Sequence, residues 1–208
     1  MCSSDLHGGR VFHVGGIAKG AGMIQPNMAT MLSFVTTDVA ISRAALQKAL
    51  KIAVNQSFNR ISVDGDMSTN DTVIALANGL AGKAPPAKFQ EALNFVCLEL
   101  AKMIVRDGEG VTKFVTVNVT GARNDRDAEI AARSVGNSVL VKTSWCGGDP
   151  NWGRIMDSLG YSRAHVVADK IDIAYDGLLA VRGGRSTKTP MLKLRAVVGN
   201  PDFTIDIN

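Results

Sequence analysis

Residues 85–108, PPAKFQEALNFVCLELAKMIVRDG, open on two prolines and close on a glycine. Between them Phe89, Leu93, Val96, Leu100 and Ile104 return every three or four residues. That spacing lays the apolar side chains along one stripe of a helix. Proline is favoured at the first helical position, and Gly108 stands where a C-terminal cap belongs. This is the clearest helix in the sequence, and the segments on either side of it decide what it packs with.

Upstream, Arg10–Val14 reads as a short strand, after which Gly15, Gly16, Gly20 and Gly22 mark a loop around the single charge of Lys19. Residues 29–39, ATMLSFVTTDV, are rich in Thr, Val and Phe and read as a strand. Ser42 then caps an amphipathic helix from Arg43 to about Asn59, with Leu46, Leu50, Ala53 and Val54 on its buried face. A polar loop, Val63–Asp71, leads into a short apolar run, Thr72–Ala77. Downstream, Val111–Val119 alternates as a strand, Asp125–Val135 reads as a third helix and Val139–Thr143 as another strand. Lys170–Tyr175, Leu178–Val181, Met191–Val198 and Phe203–Ile207 read as strands joined by glycine-containing turns. Long helices interleaved with strand pairs, without the regular alternation of a doubly wound sheet, predict an α+β layered sandwich of helices and mixed or antiparallel sheets.

A chain of 208 residues that is 46% hydrophobic can bury a core, so disorder is not the default. The net charge of +4 comes from Lys and Arg scattered along the chain rather than gathered in a stripe, which argues against a nucleic-acid partner. Arg182-Gly183-Gly184-Arg185 occurs once, between strands, and reads as a hairpin turn. Three cysteines without CxxC spacing suggest neither a disulfide framework nor a zinc ribbon, and a reducing compartment. His7, His13 and His165 fall in no metal-binding pattern. Asp64, Asp66 and Asp71 lack the order and the terminal Glu of a calcium loop, and read as carboxylates that fix their own loop. No apolar run reaches the length of a membrane span, so the expected home is the cytoplasm.

Chemistry concentrates in Gly15–Leu32, GGIAKGAGMIQPNMATML: a glycine loop, a lone cation, a proline-fixed turn, and a small residue directly before a threonine. A hydroxyl placed against the preceding carbonyl can take over the acyl group, and hydrolysis of the resulting ester breaks the chain. Cutting at Ala29–Thr30 would leave Thr30 with a free α-amine, whose ordinary pKa of about 7.7–8.0 suits it to serve as base for its own hydroxyl. On spacing alone the favoured reading of Thr30 is a strand residue after a Pro-Asn turn, of Lys19 a solvated loop lysine, and of Glu109 a surface residue in a helix-ending turn.

This segment resembles the self-cleavage segment of the ornithine acetyltransferase family, also called glutamate N-acetyltransferase. SVDGDMSTNDTV (residues 62–73), RDGEGVTK (106–113) and GGDPNWGRI (147–155) are similar to that family's later signatures, in its order. The resemblance implies a self-processing N-terminal-nucleophile type of fold and a precursor cut between Ala29 and Thr30 into an α chain and a catalytic β chain. Thr30 would accept the acetyl group of N2-acetylornithine as an ester, release ornithine, and pass the acetyl on to L-glutamate, a step of arginine biosynthesis. It also implies that Lys19 and Glu109 bind substrate beside Thr30, that no cofactor is needed, and that two α and two β chains form a heterotetramer; whether acetyl-CoA is a further donor is left open by these residues.

On this reading residues 10–29 are the end of the α chain, and 30–208 are a β chain truncated at its C-terminus. Residues 1–9 have no counterpart in the pattern and are expected to be a foreign or disordered tail. The family's oxyanion hole, a Thr-Gly pair, would lie in the α region upstream of this sequence, which leaves the activity of the chain alone in doubt. Asn151, Trp152 and Arg154 read as a turn entering a helix that supports structure near the site. Two alternatives carry other functions: a self-processing aminopeptidase with a freed N-terminal nucleophile, and a piece whose exposed apolar surface requires a partner chain.

Overall fold

The structure, a computed structural model, describes residues 2–7, 10–25, 31–66 and 69–208. The chain divides into two compact units, residues 1–111 and 112–208.

In the first unit a four-stranded sheet is built from β1 (Cys2–His7), β2 (Arg10–Lys19), β3 (Leu32–Val39) and β4 (Thr72–Gly82), in that spatial order. The β1–β2 and β2–β3 pairs are antiparallel, and β3–β4 is parallel. A parallel pair cannot be joined by a tight turn, and the crossover here carries α1 (Arg43–Gln56). The second helix of this unit, α2, spans Pro86–Arg106. Residues 2–7 were expected to be a disordered tail, but pairing with Arg10–Gly15 gives their backbone groups partners as an edge strand.

Exposure along β3 alternates, with Ser33, Val35, Thr37 and Val39 buried and Leu32, Phe34 and Thr36 exposed. One face of the sheet is therefore covered. Its core joins Phe12 and Val14 of β2 and Val35 and Val39 of β3 to Ala49 and Ala53 of α1 and to Phe89, Leu93, Val96 and Leu100 of α2. Ser42 caps α1 as expected, its hydroxyl accepting the Ala45 N–H at 3.3 Å. Strand β2 runs five residues past its expected end. Gly16 is not a loop glycine: a Cβ there would stand 2.9 Å from Leu100 Cδ1, so its missing side chain is what lets α2 lie on the strand.

In the second unit the sheet order is β5 (Phe114–Val119), β9 (Asp202–Ile207), β6 (Ile173–Tyr175), β7 (Leu178–Arg182) and β8 (Arg185–Ser186). β5 and β9 are parallel, and the remaining neighbours are antiparallel. Helices α3 (Asp125–Asn137), α4 (Val139–Cys146), α5 (Trp152–Tyr161) and α6 (Met191–Gly199) complete it. Val135, Val141, Trp145, Ile155, Leu194 and Val198 join Ile173, Tyr175, Val181 and Ile205 in its core. Burial drives the Tyr175 hydroxyl well above its ordinary pKa, with the Asp149 charge adding to the effect. The Gly183-Gly184 turn between β7 and β8 has φ of +54° and +70°, which fits a two-residue hairpin and confirms that reading of Arg182–Arg185.

Two expected strands are helices. Val139–Thr143 lies in α4, where Ser138 caps the start by accepting the Val141 N–H at 3.4 Å, and Val141, Ser144 and Trp145 fall on the buried face. Met191–Val198 lies in α6, which begins after Pro190 and buries Leu194 and Val198, four residues apart. In both, burial at helical spacing overrides the strand preference of β-branched residues. The α+β class with mixed sheets holds.

Candidate active site at the ends of strands β2 and β3

Strand β2 ends at Lys19, directly opposite Leu32, the first residue of β3. The segment that leaves β2 and returns to β3 is held at both ends by one loop, residues 62–72. On the outgoing side, Met23 takes a left-handed turn with φ of +58°, and the Ile24 side chain is fully buried. The Ile24 carbonyl accepts the Val63 N–H at 2.6 Å. The Asp64 carboxylate spans two successive backbone nitrogens, accepting Met23 N–H at Oδ2 (2.6 Å) and Ile24 N–H at Oδ1 (3.0 Å). It also accepts the Asp66 N–H at 3.0 Å. Partial burial pushes its pKa up, but the N–H groups of Asp66, Met23 and Ile24 outweigh this and leave it below the ordinary carboxylate value.

On the returning side, Met31 is buried, and its N–H donates to Asp71 Oδ1 at 2.6 Å. Its carbonyl accepts the Thr72 N–H at 2.9 Å, which begins the β3–β4 register at Leu32 and Thr72. Among the described residues the second Asp71 oxygen, Oδ2, is buried and has no hydrogen-bond partner. Burial raises the Asp71 pKa, and the single Met31 N–H does not cancel that. Asp64 and Asp71 thus fix their surroundings, as the sequence reading held, but what they fix is the pair of ends around residues 25–31 rather than their own loop alone.

A third segment reaches the same place. The turn after α2 sets Glu109 against the glycine loop, with its N–H donating to the Ala21 carbonyl at 2.8 Å. The Glu109 carboxyl carbon lies 3.2 Å from where a Cβ on Gly22 would stand, so a side chain there would push it by a few tenths of an ångström. Gly108 makes the turn possible, since a Cβ there would come within 2.8 Å of Val111 Cγ2. Lys19 and Glu109 are exposed, and neither takes part in an ion pair among the described residues. Ala29 and Thr30 lie outside the described residues; Thr30 is the covalent neighbour of Met31.

The fourth ordered motif serves the second unit. Asn151 caps α5, its Oδ1 accepting the Arg154 N–H at 3.2 Å, and Arg154 donates to the Leu140 carbonyl at 2.7 Å and to Thr143 Oγ1 at 3.0 Å. These bonds tie α5 to α4, a docking role for Asn151 and Arg154. Among the described residues no group of three or more His, Cys, Asp or Glu is placed to hold a metal ion, and no helix is long and apolar enough to cross a membrane.

Known proteins resemble this chain in sequence and fold. The ArgJ family model matches residues 1–208. An arginine biosynthesis bifunctional protein ArgJ of Geobacter sulfurreducens is 53% identical over 184 residues, 85% of this chain and 47% of that protein. A glutamate N-acetyltransferase of Methanocaldococcus jannaschii is 55% identical over 170 residues, 79% of this chain and 42% of that protein. The chain spans about half the length of the curated relatives it matches. A crystal structure of an arginine biosynthesis bifunctional protein ArgJ from Bacillus halodurans superposes with a TM-score of 0.83 at 44% identity, covering 86% of this chain and 88% of that one. With its whole length matched and its fold shared, the chain belongs to the ArgJ family.

Proposed function

We propose that the protein carrying this chain is a glutamate N-acetyltransferase of arginine biosynthesis, which cuts itself at Ala29–Thr30 and then transfers acetyl groups through Thr30. The observation that carries this reading is the double anchorage of the segment that contains the bond: Asp64 holds its outgoing end and Asp71 its returning end. Anchored ends allow the bond between them to be cut without either new terminus drifting away. The names of the relatives supply the reaction.

The proton and acyl transfers can be written with Thr30 as both nucleophile and base. The Thr30 α-amine takes the hydroxyl proton as Oγ attacks the acetyl carbonyl of N2-acetylornithine. The C–N bond breaks, the proton passes to the leaving nitrogen, and ornithine departs. The neutral amine of L-glutamate then attacks the ester, and Thr30 Oγ leaves with a proton returned through its own amine. Both substrates carry an α-carboxylate, which Lys19, in no ion pair among the described residues, can neutralise. The side-chain ammonium of N2-acetylornithine is the counterpart for Glu109. A carboxylate in no ion pair among the described residues, held against a glycine loop, suits that task.

A two-chain assembly has support of its own. The solved relative is about the length of this chain, while the curated relatives are about twice as long, as expected if such proteins exist as two pieces. On the uncovered face of the first sheet, Ile17, Phe34 and Ile74 stand opposite one another across β2, β3 and β4, exposed by 70%, 40% and 39%. An apolar row of this kind, beside Lys19, needs a partner surface. The remainder of the α chain is the partner in this reading, in a heterotetramer of two α and two β chains, and the cytoplasm is the compartment we propose.

Intact mass measurement of the cut protein after exposure to N2-acetylornithine tests the reading. An acetyl adduct on Thr30 is expected. A cut protein that never carries one, yet hydrolyses peptides from their N-termini, would turn the assignment to the aminopeptidase.

A further inference from the structure

Met23 stands in the left-handed region, with φ of +58°, although it is not glycine. Its Cβ there crowds the carbonyl that follows, so methionine rarely adopts the conformation. A strained turn of this kind persists only where its surroundings hold it. Here the hold comes from Asp64, whose two oxygens accept the N–H groups of Met23 at 2.6 Å and Ile24 at 3.0 Å. The carboxylate is itself aimed by its own loop: Oδ1 accepts the Asp66 N–H across Gly65, whose φ is +83°. The Val63 N–H on the Ile24 carbonyl and the burial of Ile24 close the turn from the other side.

The same turn sets where Glu109 lies. Ala21, two residues before Met23, accepts the Glu109 N–H, and Gly22 is the surface against which the Glu109 carboxyl group rests. Val63 Cγ1 lies 3.1 Å from where a Cβ on Gly108 would stand, so the loop that carries Asp64 also touches the turn that carries Glu109. Residues 20–24, 62–66 and 107–111 thus form one closed set of contacts. Met23 is its strained member, and Asp64 is the group that holds it.

We infer that Asp64 is a positioning residue for recognition of the acetyl donor: by clamping Met23 in its left-handed turn it fixes the wall from which the Glu109 carboxylate meets the side-chain ammonium of N2-acetylornithine. The inference rests on the proposed role of Glu109. Without the clamp Met23 relaxes to a negative φ, and Ala21 and Gly22 turn with it. Glu109 then loses both its backbone partner and the surface it lies on. A shift of about 1 Å in a group that orients substrate is enough to weaken recognition severalfold or more.

Competition between two acetyl donors tests this in the complete protein that carries the chain. The donors are N2-acetylornithine and 2-acetamidopentanoate, the same molecule without its terminal amine. The ratio of their kcat/KM values reads recognition of the ammonium, because a loss of folded or cut enzyme lowers both values alike and cancels. Asp64→Asn removes one of the two acceptors and sets an NH2 group against a backbone N–H. The preference for N2-acetylornithine is expected to fall about tenfold, the scale of one charge-assisted hydrogen bond. A preference equal to that of the wild type overturns the inference.

Where Asp64→Asn gives no active protein, Met23→Val decides in the same terms. It leaves Asp64 intact and changes an exposed side chain, but a β-branched residue opposes the left-handed turn. Its preference should also fall, by about threefold or more, and an unchanged preference overturns the inference. If the wild-type protein transfers no acetyl group, or takes both donors equally, the proposed function or its assignment of Glu109 fails. If the wild-type preference is clear and survives the substitution, only this inference fails.

Discussion

The Glu109 carboxyl group lies 3.2 Å from the point where a side chain on Gly22 would begin, although 87 positions separate the two along the chain. If Glu109 binds substrate as proposed, that closeness makes Gly22 a specificity element. Gly22 does not need a left-handed backbone, so Gly22→Ala strains nothing locally, and the added methyl group only displaces a flexible carboxylate by a few tenths of an ångström. We expect the fold to lose no more than about 0.5 kcal/mol, as for other surface changes. The KM for N2-acetylornithine should rise severalfold with kcat little changed, the pattern of weakened uniform binding. Steady-state kinetics beside a thermal melt would separate the two effects.

Gly22 was legible in the sequence only as a loop glycine, and the reason is general to this site. The four motifs state which residues matter locally, but the pairings Gly22–Glu109, Met23–Asp64 and Met31–Asp71 join segments about 40 or more residues apart, and no local period encodes them. Local signals held where local physics decides. The Ser42 cap, the stripe on α2, the Gly183-Gly184 turn and the strand at Phe203–Ile207 were all readable. They failed at Val139–Thr143 and Met191–Val198, where β-branched residues sit in short helices because their buried faces recur every three or four residues. Gly16 failed for a related reason, since its role depends on Leu100 of a distant helix.

That last contact can be measured. Gly16→Ala removes some backbone entropy from the unfolded chain but places a methyl group 2.9 Å from Leu100 Cδ1, which must move. Overpacking of this kind costs about 1–3 kcal/mol. Leu100→Ala alone should cost about 2–5 kcal/mol through the cavity it leaves. The double variant is expected to lose less than the sum, because each change relieves the other, by about 0.5–1 kcal/mol or more of coupling. Chemical denaturation of the four proteins gives the coupling directly, and strict additivity would show that α2 does not rest on Gly16.

Asp64 and Asp71 should respond to acid in opposite directions. The folded pKa of Asp64 is below its ordinary value of 3.8, so its contribution to stability is fully present above that value and is lost as the pH falls through the lower folded pKa. Asp71 is raised above 3.8, so its ionised form is the strained one, and protonation as the pH falls toward 3.8 relieves the folded state. At neutral pH Asp64→Asn should lower Tm by about 2–4 °C, allowing for the partial exposure of the group, and the difference should close in strong acid. Asp71→Asn should leave Tm unchanged or raise it slightly. Melting curves between neutral pH and pH 3.8 or below would check both signs.

Cutting at Ala29–Thr30 should not separate the two pieces. Strand β2 precedes the bond and β3 follows it, and the two are paired antiparallel from Val14 opposite Thr37 to Lys19 opposite Leu32. Phe12 and Val14 of β2 are also buried in the core beneath α1 and α2. The hydrogen bonds of Met23 and Ile24 to Asp64 hold the tail beyond the strand. Losing the upstream piece would expose this core and leave an unpaired edge on β3, which no single cut bond supplies the energy to do. The complete protein should therefore give two bands on a denaturing gel, the one bearing this β chain starting Thr-Met-Leu-Ser, and a single peak on native size exclusion. Thr30→Ala, lacking the hydroxyl that attacks the preceding carbonyl, should stay as one band while eluting in the same place. Elution of the cut pieces as separate species would show that β2 is not held by the sheet.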